Sequence, residues 1–286
     1  MGERSVVVAP TTRADVADVA DYLHHSLNAR LSAREWERSI VPPWQHDAPN
    51  HGFHLRSGGR VVGAAVAFYA ERDVRGRTER VCNLAAWCVD EDQRSHGLRL
   101  VLALLAQRGY HFTDLSPSGN VVALNERLKF QHLDTASALV PNLVLPGGGV
   151  TAVSEHERIA MLLHGRQRQI FEDHRHAPAA RHVVLRSSGA DVYVMFRKDR
   201  RKRLPVFASL LHVSDRQQLP RVWNRLSTHL LLSHGAFATL LEDRVAGWRP
   251  ARAIDLPRAR PKMFRSETLD ASDVDYLYSE LACVAW

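Results

Sequence analysis

Residues 81–106 read Val81-Cys-Asn-Leu-Ala-Ala-Trp-Cys-Val89, then Asp90-Glu-Asp-Gln-Arg-Ser-His-Gly97, then Leu98-Arg-Leu-Val-Leu-Ala-Leu-Leu-Ala106. The first part is apolar enough to be a buried strand, and the last part is typical of a helix. A strand that enters a short loop with a glycine and then a helix directs unpaired backbone N–H groups toward one point. Because the helix N-terminus also carries partial positive charge, the arrangement is suited to binding a phosphate.

The segments on both sides supply the rest of an α/β domain. Upstream, the strand-like residues 6–12 precede residues 15–27, where apolar side chains recur at helical spacing. A hairpin signal at residues 60–69, followed by turn-forming residues, leads into the Val81 strand. Downstream come a strand-like segment at 111–115 and a helix that ends in residues 124–130. This order predicts a mixed β-sheet with helices packed against it.

The order and spacing of these segments resemble motifs A and B of the GCN5-related N-acetyltransferases. That family's pyrophosphate loop is Gln/Arg-x-x-Gly-x-Gly/Ala, and here it reads Arg94-Ser95-His96-Gly97-Leu98-Arg99, with arginine in place of the last small residue. The resemblance covers residues 1–145. It implies an acyl-CoA N-acyltransferase fold, acetyl-CoA or another acyl-CoA as cofactor, and direct attack of an amine on the thioester.

The resemblance also implies which residues bind the cofactor. Backbone groups of one strand pair with the pantetheine arm and polarise the thioester carbonyl, as an oxyanion hole does. By resemblance, these groups belong to Trp87, Cys88 and Val89. The loop and the helix N-terminus cradle the diphosphate. The residues that correspond to this cradle are Arg94, Ser95, His96, Gly97, Leu98 and Arg99.

Acyl transfer needs a group that takes a proton from the amine and one that returns a proton to the thiolate. The family often uses a tyrosine in Leu-Tyr-x-x-x-Gly-Phe for the second task. When Phe130 is aligned with the final Phe, Asn125 takes the tyrosine position, and an amide has no proton to give up at neutral pH. The acidic run 90–92 either serves the amine through water or is a solvated loop. The candidate substitutes for the tyrosine are His111, Ser116 and Tyr110, and Asn125 is a candidate catalytic residue only through its aligned position.

A composition step divides the chain. Residues 1–145 carry 16 basic and 16 acidic side chains, whereas the remaining residues carry 22 and 15, so the net charge of +7 belongs to the second part. Pro141 and the turn Pro146-Gly-Gly-Gly149 lie at the step, as expected for a boundary. We therefore predict two domains: residues 1–145, which bind acyl-CoA, and residues 146–286.

The second part repeats the plan of the first, which predicts a degenerate second copy of the same fold. Its signals are an amphipathic helix at 219–233 and strand-like segments at 182–185, 191–196, 206–213 and 236–241. The loop after Val213 contains Gln217 and Gln218 but no glycine. Because a side chain there would block the close approach of a diphosphate, we predict no cofactor in the second copy.

Two further segments are rich in charge or in aromatic rings. Residues 197–203 hold six basic side chains in seven positions. Since they lie between two strand signals, we expect a solvated hairpin turn, with nucleic-acid contact as the alternative. Tyr276, Tyr278 and Glu280 alternate as on one face of a strand. That strand would close the second sheet, or the three side chains would line a pocket for a cationic substrate.

Composition argues against several classes of protein. No apolar run reaches the roughly 18 residues of a membrane helix, and the N-terminus shows no apolar signal core. The 16 histidines form no HExxH or Cys/His motif, so no metal site is predicted. Cys82, Cys88 and Cys283 form no CxxC and indicate thiols in a reducing cytoplasm. The even spacing of Cys82 and Cys88 predicts that both lie on one face of the strand.

The sequence thus predicts a cytoplasmic tandem-domain N-acyltransferase that moves an acyl group from acetyl-CoA or a related thioester to an amine of a small molecule. The second domain would shape the acceptor site or an oligomer contact, such as that of a homodimer. Two alternatives stay open. One is a catalytically silent acyl-CoA-binding protein, suggested by Asn125 and Arg99, and the other is a nucleic-acid-binding protein that uses residues 197–203.

Overall fold

The computed structural model describes residues 5–44, 47–201 and 204–286. The strands are β1 Val6–Pro10, β2 Gly52–Ser57, β3 Arg60–Val74, β4 Arg77–Val89, β5 His111–Asp114, β6 Gln131–His132, β7 Ser137–Pro141, β8 Thr151–Val153, β9 Arg181–Arg186, β10 Asp191–Arg201, β11 Leu204–Val213, β12 Ala238–Glu242, β13 Ile254–Asp255 and β14 Met263–Arg265. The α-helices are α1 Val16–Ser26, α2 Ala33–Ile40, α3 Gly97–Leu105, α4 Gly119–Arg127, α5 His156–Leu162, α6 Gly165–His174, α7 Leu219–His234, α8 Asp243–Ala246 and α9 Glu280–Cys283. Short 3-10 segments occur at Arg13–Asp15, Glu91–His96 and Ala271–Asp273.

The chain divides into two compact units, each built on one mixed sheet. The first unit contains Met1–Leu133, Pro261–Val274 and Tyr278–Val284, and the second contains most of the remainder, beginning at Asp134. The division therefore falls at residues 133 and 134, not at the predicted position after residue 145. The reason is strand pairing, because β7 hydrogen-bonds to strands of the second sheet.

The first sheet has the order β1-β2-β3-β4-β5-β14-β6. β3 is an interior strand, and its residues 61–69 are buried without interruption, as expected when both faces of the sheet are covered. The apolar side of α3 packs against this sheet, and burial of apolar surface there favours folding. The buried residues that form this cluster are Leu55, Val62, Ala65, Ala67, Tyr69, Cys82, Leu84, Leu100, Val101, Leu104, Phe112, Phe130 and Met263.

The second sheet has the order β13-β7-β12-β11-β10-β9-β8. In each sheet, five strands lie side by side in chain order, β1 to β5 in the first and β8 to β12 in the second. In each, the fourth and fifth strands are parallel and are joined by a helix, α3 in the first unit and α7 in the second. The predicted strands at 191–196, 206–213 and 236–241 correspond to β10, β11 and β12.

Each sheet also contains one strand from a distant part of the chain. β14 lies between β5 and β6 in the first sheet, where Phe264 is opposite both Thr113 and Gln131. β7 lies between β12 and β13 in the second sheet, where Leu139 is opposite both Leu240 and Ile254. β14 therefore separates β5 from β6, and β7 separates β12 from β13, at equivalent positions of the two sheets.

Two predictions about the second half are wrong. Residues 276–280 do not form a strand, because Tyr278 has a φ of 56° in the left-handed region and Glu280 already begins α9. The C-terminal strand that does form, β14, belongs to the first sheet. The predicted basic turn begins too early, since β10 continues to Arg201 and Arg197 is buried within it. Residues 202 and 203, the end of that predicted turn, lie outside the described residues.

Candidate functional site

The parallel pairing of β4 with β5 ends while β4 continues. It runs from Val81 opposite His111 to Leu84 opposite Asp114, where β5 ends. β4 goes on to Val89 and keeps β3 as its neighbour, with Gly63 opposite Val89. We call the diverging end of these two strands, residues 85–89 of β4 and the end of β5, the strand fork. Among the described residues, no strand pairs with the β5 side of β4 along the fork, so an extended ligand could pair with the backbone there.

A β-bulge lies inside the fork. Ala64 is opposite Cys88 and Val66 is opposite Ala85, so two residues of β4 face one residue of β3. Ala86, one of the two, has a φ of 49°, which is uncommon for a residue with a Cβ. A bulge re-aims the side chains that follow it. The fork is therefore a constrained stretch of backbone and not a frayed strand end.

The bulge overturns the prediction that Cys82 and Cys88 share a face. Cys82 is buried in the cluster that packs against α3. Cys88 lies against α1 instead, where its Sγ donates to the Ser26 carbonyl at 3.4 Å and is 3.9 Å from the Tyr22 hydroxyl oxygen. The extra residue at the bulge shifts the alternation of the strand by one. Burial raises the pKa of the Cys88 thiol, so it is no ready nucleophile.

The predicted phosphate loop is a helical turn that runs into α3. Residues 91–96 form a 3-10 segment, and His96 precedes the first residue of α3, Gly97. Within the turn, the Gln93 N–H donates to the Asp90 carbonyl and the Gly97 N–H to the Arg94 carbonyl. These donors serve the turn itself, so anion binding here relies on the remaining groups at the helix N-terminus.

Gly97 has helical geometry, which changes the reason why a glycine is useful there. Its φ is −56°, so the position does not demand a glycine for backbone conformation. A Cβ at Gly97 would lie 3.4 Å from Val89 Cγ2 and 3.6 Å from Trp87 Cζ2, which is ordinary contact distance. What the glycine provides is space between the first turn of α3 and the fork.

Trp87 offers a hydrogen-bond donor at this place. Its Nε1 would be 3.9 Å from a Cβ at Gly97. This nitrogen is buried and has no hydrogen-bond partner in the part of the chain that the structure describes. Buried indole N–H groups usually find an acceptor. The unsatisfied donor, the open edge of β4 and the helix N-terminus together fit a ligand that has a polar extended arm and an anionic end.

The charges around the loop are mixed. Arg94 and Arg99 are exposed at the surface, together with Ser95 and Leu98. Arg94 Nη1 is 3.4 Å from Glu91 Oε1. Arg99 donates to the Val6 carbonyl at 3.1 Å and lies 3.2 Å from His96 Nδ1. Exposed pairs of this kind are weak and leave both arginines available to an anion.

Three of the four candidate proton donors lie away from the open edge of the fork or have no acidic proton. His111 is opposite Val81, about 10 Å before the end of β5 at about 3.3 Å per residue. Its imidazole lies between Glu79 Oε2 at 3.0 Å and Ser266 Oγ at 2.8 Å. Tyr110 lies at the same end, with its ring under the Arg80 guanidinium at 4.1 Å. The structure does not bring His111 or Tyr110 to the fork.

Asn125 is buried on α4 and acts as a partner of Asp114. Its Nδ2 donates to Asp114 Oδ2 at 2.8 Å. Burial raises the pKa of Asp114 to about 6, and the hydrogen bond from Asn125 opposes that rise. Asn125 thus occupies the position aligned with the family's tyrosine, but it makes a buried polar contact and offers no exposed proton.

Ser116 is the predicted catalytic residue that lies at the fork, two positions beyond the end of β5. Its hydroxyl donates to Glu280 Oε1 at 2.8 Å. The sequence prediction missed Glu280 in this place, because it assigned the residue to a strand of the second sheet. No local pattern could have paired two residues that lie 164 positions apart.

The second unit has the same strand geometry and a different loop. β11 pairs with β12 from Phe207 opposite Ala238 to Ser209 opposite Leu240, and β11 then continues to Val213. A one-residue bulge lies within that continuation, since neighbouring residues of β10 face His212 and Leu210. At the start of α7, Asp215 Oδ1 accepts from the backbone N–H groups of residues 217 and 218, at 2.9 and 3.1 Å. A carboxylate of the chain itself therefore occupies the place that an anion would take.

Within the described ranges, no group of three or more His, Cys, Asp or Glu side chains could hold a metal ion. Among the helices that these ranges contain, none is long and apolar enough to cross a membrane.

No protein-family profile matches the sequence, and no curated protein matches it. Solved structures do match. A GCN5-related N-acetyltransferase from Anabaena variabilis has a TM-score of 0.59 at 11% identity over 91% of this chain and 72% of that one. A Pyrococcus horikoshii protein, provisionally described as an acetyltransferase, has a TM-score of 0.58 at 14% identity over 99% and 97%. N-myristoyltransferase from Saccharomyces cerevisiae, solved with myristoyl-CoA, has a TM-score of 0.52 at 11% identity over 100% and 86%.

Sheet order, fork and comparisons agree on the class of protein. The chain is an α/β protein with two mixed sheets, and the strands of both sheets are arranged in the same order. Its fold is that of the GCN5-related N-acetyltransferases, as the sequence predicts. The TM-scores of 0.59 and 0.58, at identities of 11% and 14%, show a likeness of fold.

Proposed function

We propose that the chain is an acyl-CoA-dependent N-acyltransferase that uses acetyl-CoA and acts on an amine of a small molecule. The observation that carries the proposal is the strand fork, where the open edge of β4 meets the N-terminus of α3 beside the unsatisfied Trp87 indole. Solved structures of this fold include N-acetyltransferases and an N-myristoyltransferase with bound myristoyl-CoA. The free cysteines are consistent with a cytoplasmic site of action.

The residues of the fork and loop divide the work of binding. The backbone of Trp87, Cys88 and Val89 pairs with the pantetheine arm and polarises the acyl carbonyl. The first turn of α3, with Arg94 and Arg99, faces the diphosphate. Acyl-CoA supplies the acyl group in activated form, as a thioester. The space that Gly97 leaves beside the fork admits the ligand.

Turnover and binding together test the proposal. Purified protein is incubated with acetyl-CoA and a panel of primary amines, and free CoA and acylated amine are quantified by liquid chromatography. We expect amine-dependent release of CoA, and calorimetry should give one CoA site per chain. Trp87→Phe removes the indole N–H and should weaken CoA binding three- to tenfold, about 1 kcal/mol. Absence of CoA binding in the folded wild-type protein would reject the proposal.

One observation favours a second candidate, a catalytically silent acyl-CoA-binding protein. Asn125 is buried and bonded to Asp114 at the position where the family's tyrosine is expected. The same experiment separates the two candidates, because a silent protein would bind CoA at the fork and release none of it with any amine. Residues 197–201 give no comparable support to nucleic-acid binding, since Arg197 is buried and Asp199 is bonded to Arg260.

A further inference from the structure

A carboxyl group from the C-terminal segment is enclosed at the end of β5. Glu280 is fully buried, and its backbone N–H donates to Asn83 Oδ1 on β4 at 2.9 Å. Its Oε1 accepts from Ser116 Oγ at 2.8 Å. Its Oε2 is also buried and has no hydrogen-bond partner among the described residues. A buried carboxyl oxygen without a partner is costly to the fold and therefore calls for an explanation.

Ser116 is the member of this pair that solvent can reach. The serine is only partly buried, whereas Glu280 is inaccessible to solvent. Asn83 fixes the other side of the arrangement, because its Nδ2 donates to Thr113 Oγ1 at 3.0 Å. The hydroxyl of Ser116 is thus bonded to an enclosed carboxyl and belongs to a partly exposed residue two positions beyond the end of β5.

We propose that Ser116 is the catalytic residue that exchanges protons with the reacting groups, and that Glu280 positions Ser116 and holds the proton. The inference rests on the proposed acyl transfer. In that transfer, the amine nitrogen bonds to the acyl carbon as the bond from that carbon to sulfur breaks. The nitrogen gives a proton to Ser116 Oγ while the serine's own proton passes to Glu280 Oε1. The reverse passage delivers a proton to the thiolate, so one proton moves from nitrogen to sulfur and both residues are restored.

The surroundings of Glu280 suit a proton that is taken up and returned. Burial, followed by the charge of Asp114, raises its pKa to about 7, so both forms exist near neutral pH. The titratable group that acts on Glu280 is Asp114 at the end of β5, and Glu280 acts in turn on Cys283 of α9. Burial raises the pKa of Cys283 well above its usual range, which keeps that thiol neutral. β4 presents the Asn83 amide, and α2 presents the Ser39 hydroxyl beside Cys283, neither of which titrates.

The test uses the full chain with acetyl-CoA and whichever primary amine of the panel turns over fastest. Ser116→Ala and Glu280→Gln should each lower kcat at least a hundredfold, the range of general acid–base catalysis, with KM for acetyl-CoA within twofold. Ser116→Thr keeps the hydroxyl and should restore most of the rate. The double variant should be no slower than either single one, because the two residues act as a unit.

The pH profile separates a relay from a merely structural contact. Wild-type kcat should show an inflection near neutral pH that Glu280→Gln abolishes. Asp114→Asn removes the charge that raises the pKa of Glu280, so it should move the inflection to lower pH while the rate persists. Ser118→Ala, an exposed serine nearby, is the matched control and should change kcat less than twofold.

The possible outcomes distinguish failure of the Ser116–Glu280 proton relay from failure of the proposed acyl transfer. Wild-type turnover together with more than a third of kcat in both Ser116→Ala and Glu280→Gln would overturn the relay and leave acyl transfer intact. CoA binding without wild-type turnover on any amine would reject the transfer itself, and the relay with it. If Glu280→Gln fails to fold by circular dichroism, Ser116→Ala and Ser116→Thr decide the matter alone.

Discussion

β4 and β11 end in the same way, and the loops that follow them do not. Both strands outrun their parallel neighbour and both carry a bulge before the last residues. After β4, the chain forms a 3-10 turn and enters α3 at a glycine beside an unsatisfied indole. After β11, the Asp215 carboxylate accepts two backbone N–H groups at the start of α7. Strand geometry therefore belongs to the fold, whereas the ligand site depends on what the loop leaves open.

The largest expected difference between the two units is their response to pH. In the first unit, burial raises the pKa of Glu280 to about 7 and of Asp114 to about 6. In the second, burial lowers the pKa of His182 to about 3 and of His234 to about 4. The carboxyls bind protons more tightly when folded, so their favourable contribution is lost as the pH rises through these raised values. The histidines bind protons less tightly when folded, so stability is lost as the pH falls below about 6.5.

Urea unfolding of matched variants at pH 5 and pH 8 measures these opposite pH dependences of the free energy of unfolding. Relative to wild type, Glu280→Gln should be about 2 kcal/mol more favourable at pH 8 than at pH 5, since each group contributes up to about 1.4 kcal/mol per pH unit. His182→Gln should show the opposite trend by a similar amount. Shifts of the same sign in both variants would contradict the contrast between the units.

Closing the first loop should remove most of its ligand binding. Gly97→Val adds a branched side chain next to Val89 and Trp87, in the space that the ligand would enter. We expect CoA affinity to fall at least tenfold, about 1.4 kcal/mol, by calorimetry. Gly189→Val is the control, because a Cβ there meets nothing within 4 Å. Unchanged affinity in a folded Gly97→Val protein would place the cofactor elsewhere.

Opening the second loop should not create a site. Asp215→Ala removes the acceptor for two N–H groups and should cost about 1 kcal/mol of stability, as the loss of a helix cap does. The side chains of Gln217 and Gln218 remain, so CoA stoichiometry should stay near one per chain. A stoichiometry near two would show that Asp215 alone keeps the second loop silent.

The smallest effect concerns the acids before α3. Glu91 and Asp92 are exposed and carry negative charge toward the end of the helix that would face a diphosphate. Replacing both by their amides should tighten CoA binding two- to threefold at low salt, about 0.5 kcal/mol, and less at high salt because exposed charges are screened. Asp173→Asn and Asp191→Asn in the second unit serve as controls for net charge. Weaker binding in the Glu91/Asp92 variant would mean that these carboxylates contact the ligand favourably.

Local patterning made much of this architecture predictable. The apolar run of β4, the glycine at the start of α3 and the strands β10 to β12 are read from neighbouring residues, because burial imposes the period of each element on the sequence. The resemblance of residues 94–99 to a pyrophosphate loop predicted which fold these elements form. The same patterning placed Ser116 just past a strand, where the fork opens.

Tertiary structure alone decided the rest, because it depends on pairings between distant residues. The strands β7 and β14 are too short for their sequences to indicate which strands they pair with. In the folded chain, β7 from the first predicted domain pairs within the second sheet, and β14 from the second predicted domain pairs within the first sheet. The bulge at Ala86 moved Cys88 to the opposite face from Cys82, although alternation along the sequence puts them together. Ser116 is hydrogen-bonded to Glu280, 164 positions away in the sequence. This pairing depends on the fold, because a carboxyl needs a hydrogen-bond donor from the protein only once it is buried away from water.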